Sequence, residues 1–237
     1  MTEAAHRASR PPFTLDTRTT SRHNRIPSGP VGRERSMIAI VDYGAGNVAS
    51  VQKALSHIGR ESVITARPDV LRAASCVVFP GQGHFGQAMA RLTSTGLDAV
   101  LREVIDVGTP FVGICLGLQL LFEGSDEAPG VPGLGVLSGR CVAFREPLKV
   151  PQIGWNRVQK ARTGSPMDAI ADDQFLYFVH TYHAVATNAH DVVATADYGA
   201  PFTAAVQHGN VFAAQFHPEK SGQVGLDLLK AATEAAC

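Results

Sequence analysis

Apolar residues along this chain fall into short continuous runs separated by amphipathic stretches, and the alternation predicts β-loop-α units. Met37-Ile38-Ala39-Ile40-Val41 is a run of strand length, as a strand covered on both faces of a parallel sheet requires. Asp42-Tyr43-Gly44-Ala45-Gly46-Asn47 follows as a glycine-rich loop. Val48, Val51, Leu55 and Ile58 then mark one face of a helix. Ser62–Thr65 reads as a short strand and Cys76-Val77-Val78-Phe79 as a buried one. Pro80–Gly86 reads as a tight loop at the carboxyl end of that strand. Leu97, Val100, Leu101, Val104 and Ile105 give a second helix, closed by Gly108 and Pro110. Phe111–Cys115 is the next strand.

Beyond Gly130 the texture changes. Gly135–Phe144 and Trp155–Gln159 suggest an antiparallel excursion, and Gln174–Val179 returns to a buried strand. Ala204–Gln207 and Val211–Phe216 flank His208-Gly209-Asn210, a hairpin turn. A final helix carries Val224, Leu228 and Leu229. The pattern predicts an α/β fold, a flavodoxin-like open and mainly parallel sheet with helices on both faces. Ligands bind such sheets at the carboxyl ends of the strands.

Composition narrows the class. With 237 residues, 45% of them hydrophobic, the chain can bury one sizeable core. A formal net charge of zero argues against a nucleic-acid surface. No apolar run approaches the ~18–20 residues of a membrane span, so none is expected. Cys76, Cys115, Cys141 and Cys237 are scattered, and a cytosolic, reduced setting is the simplest reading. Residues 1–36 hold Arg7, Arg10, Arg18, Arg22, Arg25, Arg33 and Arg35 with abundant Pro, Ser and Thr. That segment is expected to be disordered, and the folded domain to occupy residues 37–237.

Candidate chemistry centres on Gly113-Ile114-Cys115-Leu116-Gly117. Glycine–x–nucleophile–x–glycine between a strand and a helix is a sharp turn that lifts the nucleophile out of the sheet. The helix N-terminus would favour a thiolate. A buried structural cysteine fits the local pattern equally well. The rest of the chain favours the nucleophile. His217-Pro218-Glu219 follows another buried strand, and residues two apart in extended chain share a side. A carboxylate beside an imidazole can hold its tautomer, giving a Cys-His-Glu arrangement. Gly81-Gln82-Gly83 can present backbone amides to an oxyanion, with the N–H of Leu116 as a second donor. His84, His180 and His183 do not make a metal site, since His180 and His183 are expected to face apart and nothing completes zinc spacing. The loop at 42–47 lacks the full dinucleotide fingerprint and the P-loop lysine. No metal and no cofactor is expected.

Gly113–Gln119, Gln215-Phe216-His217-Pro218-Glu219-Lys220-Ser221 and the Pro-Gly-x-Gly loop together resemble the class I, triad-type glutamine amidotransferases. Asp42–Asn47, Val150–Asn156 and Tyr177–Tyr182 resemble, more narrowly, the glutaminase subunits of imidazole glycerol phosphate synthase, over about residues 37–237. The resemblance implies that Cys115 attacks the glutamine amide, that His217 is base and then acid, and that Glu219 orients it. It implies glutamine contacts from Gln119, Glu127 and backbone near Gly81, Gly83, Thr181 and Tyr182. It places Asn47, Trp155, Tyr177 and Lys220 on a docking face for a separate (β/α)8 cyclase subunit, as a heterodimer. Gln82 and Gln152 depart from that pattern, which has a small apolar residue and often a histidine there. Rival readings are another amidotransferase subunit, an autonomous cysteine hydrolase, and a non-catalytic subunit that keeps only the fold.

Overall fold

The computed structural model describes residues 37–44, 46–145 and 147–234. The first 36 residues, Ala45, Glu146 and residues 235–237 lie outside the described residues, and with them the expectation of a disordered N-terminal segment. In chain order the first half holds β1 (Ile38–Val41), α1 (Val48–His57), β2 (Ser62–Thr65), α2 (Pro68–Arg72), β3 (Cys76–Gly81), α3 (Phe85–Thr95), α4 (Leu97–Asp106), β4 (Phe111–Cys115) and α5 (Leu116–Leu120). The second half holds β5 (Phe122–Ser125), β6 (Leu137–Ala143), β7 (Gln152–Lys160), β8 (Gln174–His180), β9 (Tyr182–Ala186), β10 (Val192–Asp197), β11 (Pro201–His208), β12 (Val211–Ala214) and α6 (Gly222–Glu234).

Nine strands form one sheet in the order β2-β1-β3-β4-β12-β11-β10-β7-β8. From β2 to β12 neighbours run parallel. From β12 to β8 they run antiparallel, which is the excursion that the short runs after Gly130 announced. A smaller sheet, β5-β6-β9, stands apart. The hairpin at His208–Asn210 is present, with Ala205 opposite Ala214.

Both faces of the parallel half are covered, which explains its unbroken apolar strands. Ala39, Val41, Val77 and Phe79 pack with Leu71 of α2, Met89 and Leu92 of α3, and Leu101 and Val104 of α4. Ile38, Ile40 and Val78 point the other way, onto Val51 and Leu55 of α1 and Leu228 and Leu229 of α6. Helix α3 corrects the loop read at Pro80–Gly86: Pro80 and Gly81 continue β3, while Phe85 and Gly86 open the helix. Its buried Phe85, Ala88, Met89 and Leu92 do keep helical spacing, but small and polar neighbours mask it.

The tightest joint is where α5 crosses the sheet. A Cβ added to Gly117 would sit 1.9 Å from the Phe79 carbonyl oxygen, so the α5 backbone rests directly on β3. Gly113 is similarly confined by the Ala213 side chain, 2.9 Å away. Gly117→Ala should therefore cost about 3 kcal/mol or more, at or above the top of the usual overpacking range, because the clash is with backbone. Gly59→Ala, with nothing within 4 Å at φ +76°, should cost only the left-handed penalty of about 1–2 kcal/mol. Urea unfolding of the two variants checks the order; equal losses would contradict the close approach.

Candidate active site

Three strand ends converge on one cleft. Cys115 closes β4 and sits opposite Gly81, the last residue of β3. On the other side β4 pairs with β12, which leads through Gln215 and Phe216 to His217. Cys115 adopts φ 54° and ψ −107°, a sparsely populated conformation for a side chain with a Cβ, costing of order 1–3 kcal/mol. The Gly117 joint holds it there.

His217 and Glu219 meet, though not as extended chain. His217 is extended, but Pro218–Lys220 closes as a 3-10 turn, and the turn brings the carboxylate back beneath the ring. His217 Nδ1 donates to Glu219 Oε1 at 2.7 Å, with both side chains at most 1% exposed. Ser221 fixes the backbone here: its hydroxyl donates to the His217 carbonyl at 2.7 Å and accepts from the Tyr177 N–H at 3.0 Å. Among the described residues His217 Nε2 and Glu219 Oε2 are buried without a hydrogen-bond partner, and the Cys115 side chain is the neighbour that acts on the imidazole. Burial opposes a charge on the imidazole, but the Cys115 charge and the Glu219 carboxylate outweigh it and raise His217 to about 10. Thiolate, imidazolium and carboxylate in that order can deliver a nucleophile and hold a proton ready for a leaving group.

The cleft, of about 420 Å³, is lined by Cys115, Gln119, Glu127, Thr181, Tyr182 and His217, with Gly83, Tyr177 and Lys220 also bordering it. Gln119, 5% exposed, donates from Nε2 to the Tyr182 carbonyl at 2.8 Å. Glu127 Oε2 accepts from the Phe85 N–H at 2.7 Å. Gly81 lies behind the wall, where an added Cβ would come within 2.3 Å of the Tyr43 hydroxyl. Among the described residues that phenol is buried without a hydrogen-bond partner, and burial with the Cys115 charge pushes its pKa well up.

Two placements differ from the expectation. Asn47 reaches inward as well as sitting at the α1 terminus: its side-chain amide donates to Glu219 Oε1, the oxygen that also accepts the hydrogen bond from His217 Nδ1. His180 and His183 do not face apart. They leave successive strands, β8 and β9, and both rings gather on Phe144 and Phe202. Burial lowers His180 to about 4, and its Nδ1 donates to the Tyr182 carbonyl at 2.9 Å. Among the described residues, no group of three or more His, Cys, Asp or Glu side chains could hold a metal ion. Sequence reasoning missed any role for Gln215, although a polar residue at the end of the apolar run Val211–Phe216 is the signal.

The sequence matches the family described as Glutamine amidotransferase class-I over residues 39–232. Among solved structures, a crystal structure of a glutamine amidotransferase superposes with TM-score 0.63 at 20% identity, covering 82% of this chain and 98% of that one. PurLQS from Thermotoga maritima gives TM-score 0.68 at 18% identity over 85% and 99%. At those identities the likeness establishes the fold. By fold and sequence the chain belongs to the class-I glutamine amidotransferases. Within that class its relatives include imidazole glycerol phosphate synthase subunit HisH from Bacillus cereus (strain G9842), 44% identical over 82% of this chain and 92% of the relative. HisH of Methanothermobacter thermautotrophicus is 46% identical over 82% and 96%. The chain is a member of the HisH family.

A raised imidazole pKa ties stability to pH. The charged ring is favoured by folding, so its contribution is full below the unfolded value near 6.5 and is lost as pH rises through about 10. The stability advantage of the wild-type protein over His217→Asn should thus be largest at pH 6 and shrink toward pH 10. Denaturant titrations across that range check it, and a constant difference would contradict it.

Proposed function

We propose that the chain hydrolyses glutamine as the glutaminase subunit of an imidazole glycerol phosphate synthase, in histidine biosynthesis. The observation that carries the chemistry is Cys115 and His217 on one cleft, with the buried Glu219 carboxylate behind the imidazole on a 2.7 Å bond. Cys115 attacks the side-chain amide carbon of glutamine. His217 gives its proton to the departing ammonia, leaving a thioester, and then takes a proton from the water that releases glutamate. Glu219 keeps the ring in one tautomer throughout. Gln119, Glu127 and the backbone at Thr181 and Tyr182 hold the amino acid, and amides at Gly81–Gly83 and Leu116 receive the oxyanion.

An apolar face beside the cleft supports a partner. Directly opposed residues of an antiparallel pair share a face, and Trp155 opposes Tyr177 while Ile153 opposes Val179. Ile153 is 63% and Trp155 55% exposed, whereas Tyr177 and Val179 border the cleft. A protein seated there, over Trp155, Tyr177 and Lys220, would cap the glutaminase site. The fitting partner is a separate (β/α)8 cyclase subunit, making a heterodimer. It would use the ammonia to form imidazole glycerol phosphate and aminoimidazole carboxamide ribotide. Ammonia loose in water at neutral pH is mostly protonated and no longer a nucleophile, so a sealed transfer preserves it. Among the described residues no helix is long and apolar enough to cross a membrane.

Mixing the chain with the cyclase subunit tests this reading. Cys115→Ser should abolish turnover driven by glutamine and leave turnover driven by free ammonia intact; glutamine-driven turnover in that variant would refute it. Basal glutaminase of the isolated chain should rise severalfold or more when the partner is added. Trp155→Ala should weaken the complex about 30-fold, as losing a ~2 kcal/mol aromatic anchor does. Calorimetric titration reads that change, and an unaltered Kd would place the docking face elsewhere.

A further inference from the structure

The nucleophile has a second polar neighbour besides the imidazole. Gln215 is fully buried, and its side-chain amide bridges two groups of the cleft. Its Oε1 accepts from Gln119 Nε2 at 3.0 Å, and its Nε2 stands 3.6 Å from Cys115 Sγ. Among the described residues Nε2 has no other partner.

Which end of each amide is nitrogen follows from one main-chain atom. The Tyr182 carbonyl can only accept, so Gln119 must turn its NH2 group toward it, and that bond is 2.8 Å long. The second N–H of the same group meets Gln215, which must answer with its oxygen. Gln215 is then left with only N–H to offer the sulphur. The chain Tyr182–Gln119–Gln215–Cys115 therefore begins on fixed backbone and ends by delivering a donor to the nucleophile. A thiol accepts weakly, whereas a thiolate accepts a charge-assisted bond about twice as strong as a neutral one. The arrangement thus discriminates between the two states of the sulphur.

We propose that Gln215 is a further catalytic residue, whose amide N–H stabilises the Cys115 thiolate and is itself locked in place by Gln119. The proposal rests on Cys115 being the nucleophile. Its effect is felt twice in the cycle. Before attack, the N–H favours the ionised sulphur and fixes its direction. In the second half, water adds to the thioester carbonyl, His217 takes the water's proton, and the C–S bond breaks with its electron pair returning to Sγ. The Gln215 donor is then already in place to receive that charge. Because Gln119 lies on the cleft wall, glutamine that engages it also steadies the donor behind the sulphur.

The experiment measures two things on the full chain. Iodoacetamide labelling of Cys115, located by mass spectrometry across a pH series, reads the thiolate directly. Glutaminase kinetics with the cyclase subunit present give kcat and KM. In Gln215→Leu the labelling midpoint should rise by about one pH unit. The kcat should fall about ten- to a hundredfold, as loss of a hydrogen bond to a charged group predicts, with KM changed less than about threefold. Gln215→Glu keeps the size and the acceptor toward Gln119 but replaces the donor with a charge, and should shift the midpoint in the same direction. It serves if the leucine variant fails to fold. An unchanged midpoint in either folded variant overturns the proposal, since a merely structural role would lower activity without moving it. Cys115→Ser is the companion control: retained glutaminase there would overturn the nucleophile assignment itself, and the proposal with it.

Discussion

The contact between the α5 backbone at Gly117 and the Phe79 carbonyl is the constraint on which the site depends. Strand β4 can turn into a helix immediately after Cys115 only because no side chain intervenes there. The turn forces Cys115 into its strained positive-φ conformation, and the packing of α5 on β3 over-determines a geometry that the residue alone would abandon. Phe79, in turn, is wedged between Tyr43 and Phe111, with ring centroids 5.4 and 5.8 Å away. The strain at the cysteine is thus held by the hydrophobic core of one whole face of the sheet.

Charge is placed by a second constraint, the burial of the His217–Glu219 pair. Taking charges out of water is costly, and at this imidazole the Cys115 and Glu219 charges more than offset that cost. Among the described residues the pair still leaves one Glu219 oxygen and one His217 nitrogen buried without a hydrogen-bond partner. Such incomplete satisfaction is tolerated where function requires it. The Asn47 amide, from the first βα loop, adds a second donor to the Oε1 that His217 already bonds, and Ser221 and Tyr177 hold the backbone from the last turn and from β8. Since Tyr177 also stands opposite Trp155 on the exposed apolar face, the catalytic base and the surface beside it share one hydrogen-bonded frame.

The parallel half of the sheet was legible because its strands are buried on both sides and so read as unbroken apolar runs. The cysteine elbow was legible for a related reason: close backbone approach demands glycine, and glycine is visible in a sequence. Helices α2 and α3 and strand β10 were not. α2 is only five residues long, α3 has the small Ala88 on its buried face and small or polar residues around it, and β10 (Val-Val-Ala-Thr-Ala-Asp) buries small side chains that carry little signal. The His217–Glu219 pairing was anticipated from extended geometry, yet a 3-10 turn achieves it; sequence spacing gave the partners and not the path. The inward bond of Asn47 and the Gln119–Gln215–Cys115 chain join residues about a hundred or more positions apart. Local patterning has no means of announcing such contacts.

The position of β12 has a consequence for how the molecule is made. The last strand among the described residues, it pairs with β4 in the interior of the sheet. Until residues 211–214 leave the ribosome, the strand that carries Cys115 is a bare hydrophobic edge of a half-built sheet. At ordinary synthesis rates of ~5–20 residues per second, the roughly one hundred residues between them take about 5–20 s. During that interval β4 is a template for any other extended chain. The same delay keeps the imidazole away from the thiol until almost the whole domain exists, so nascent chains carry an exposed sticky edge but no assembled catalyst.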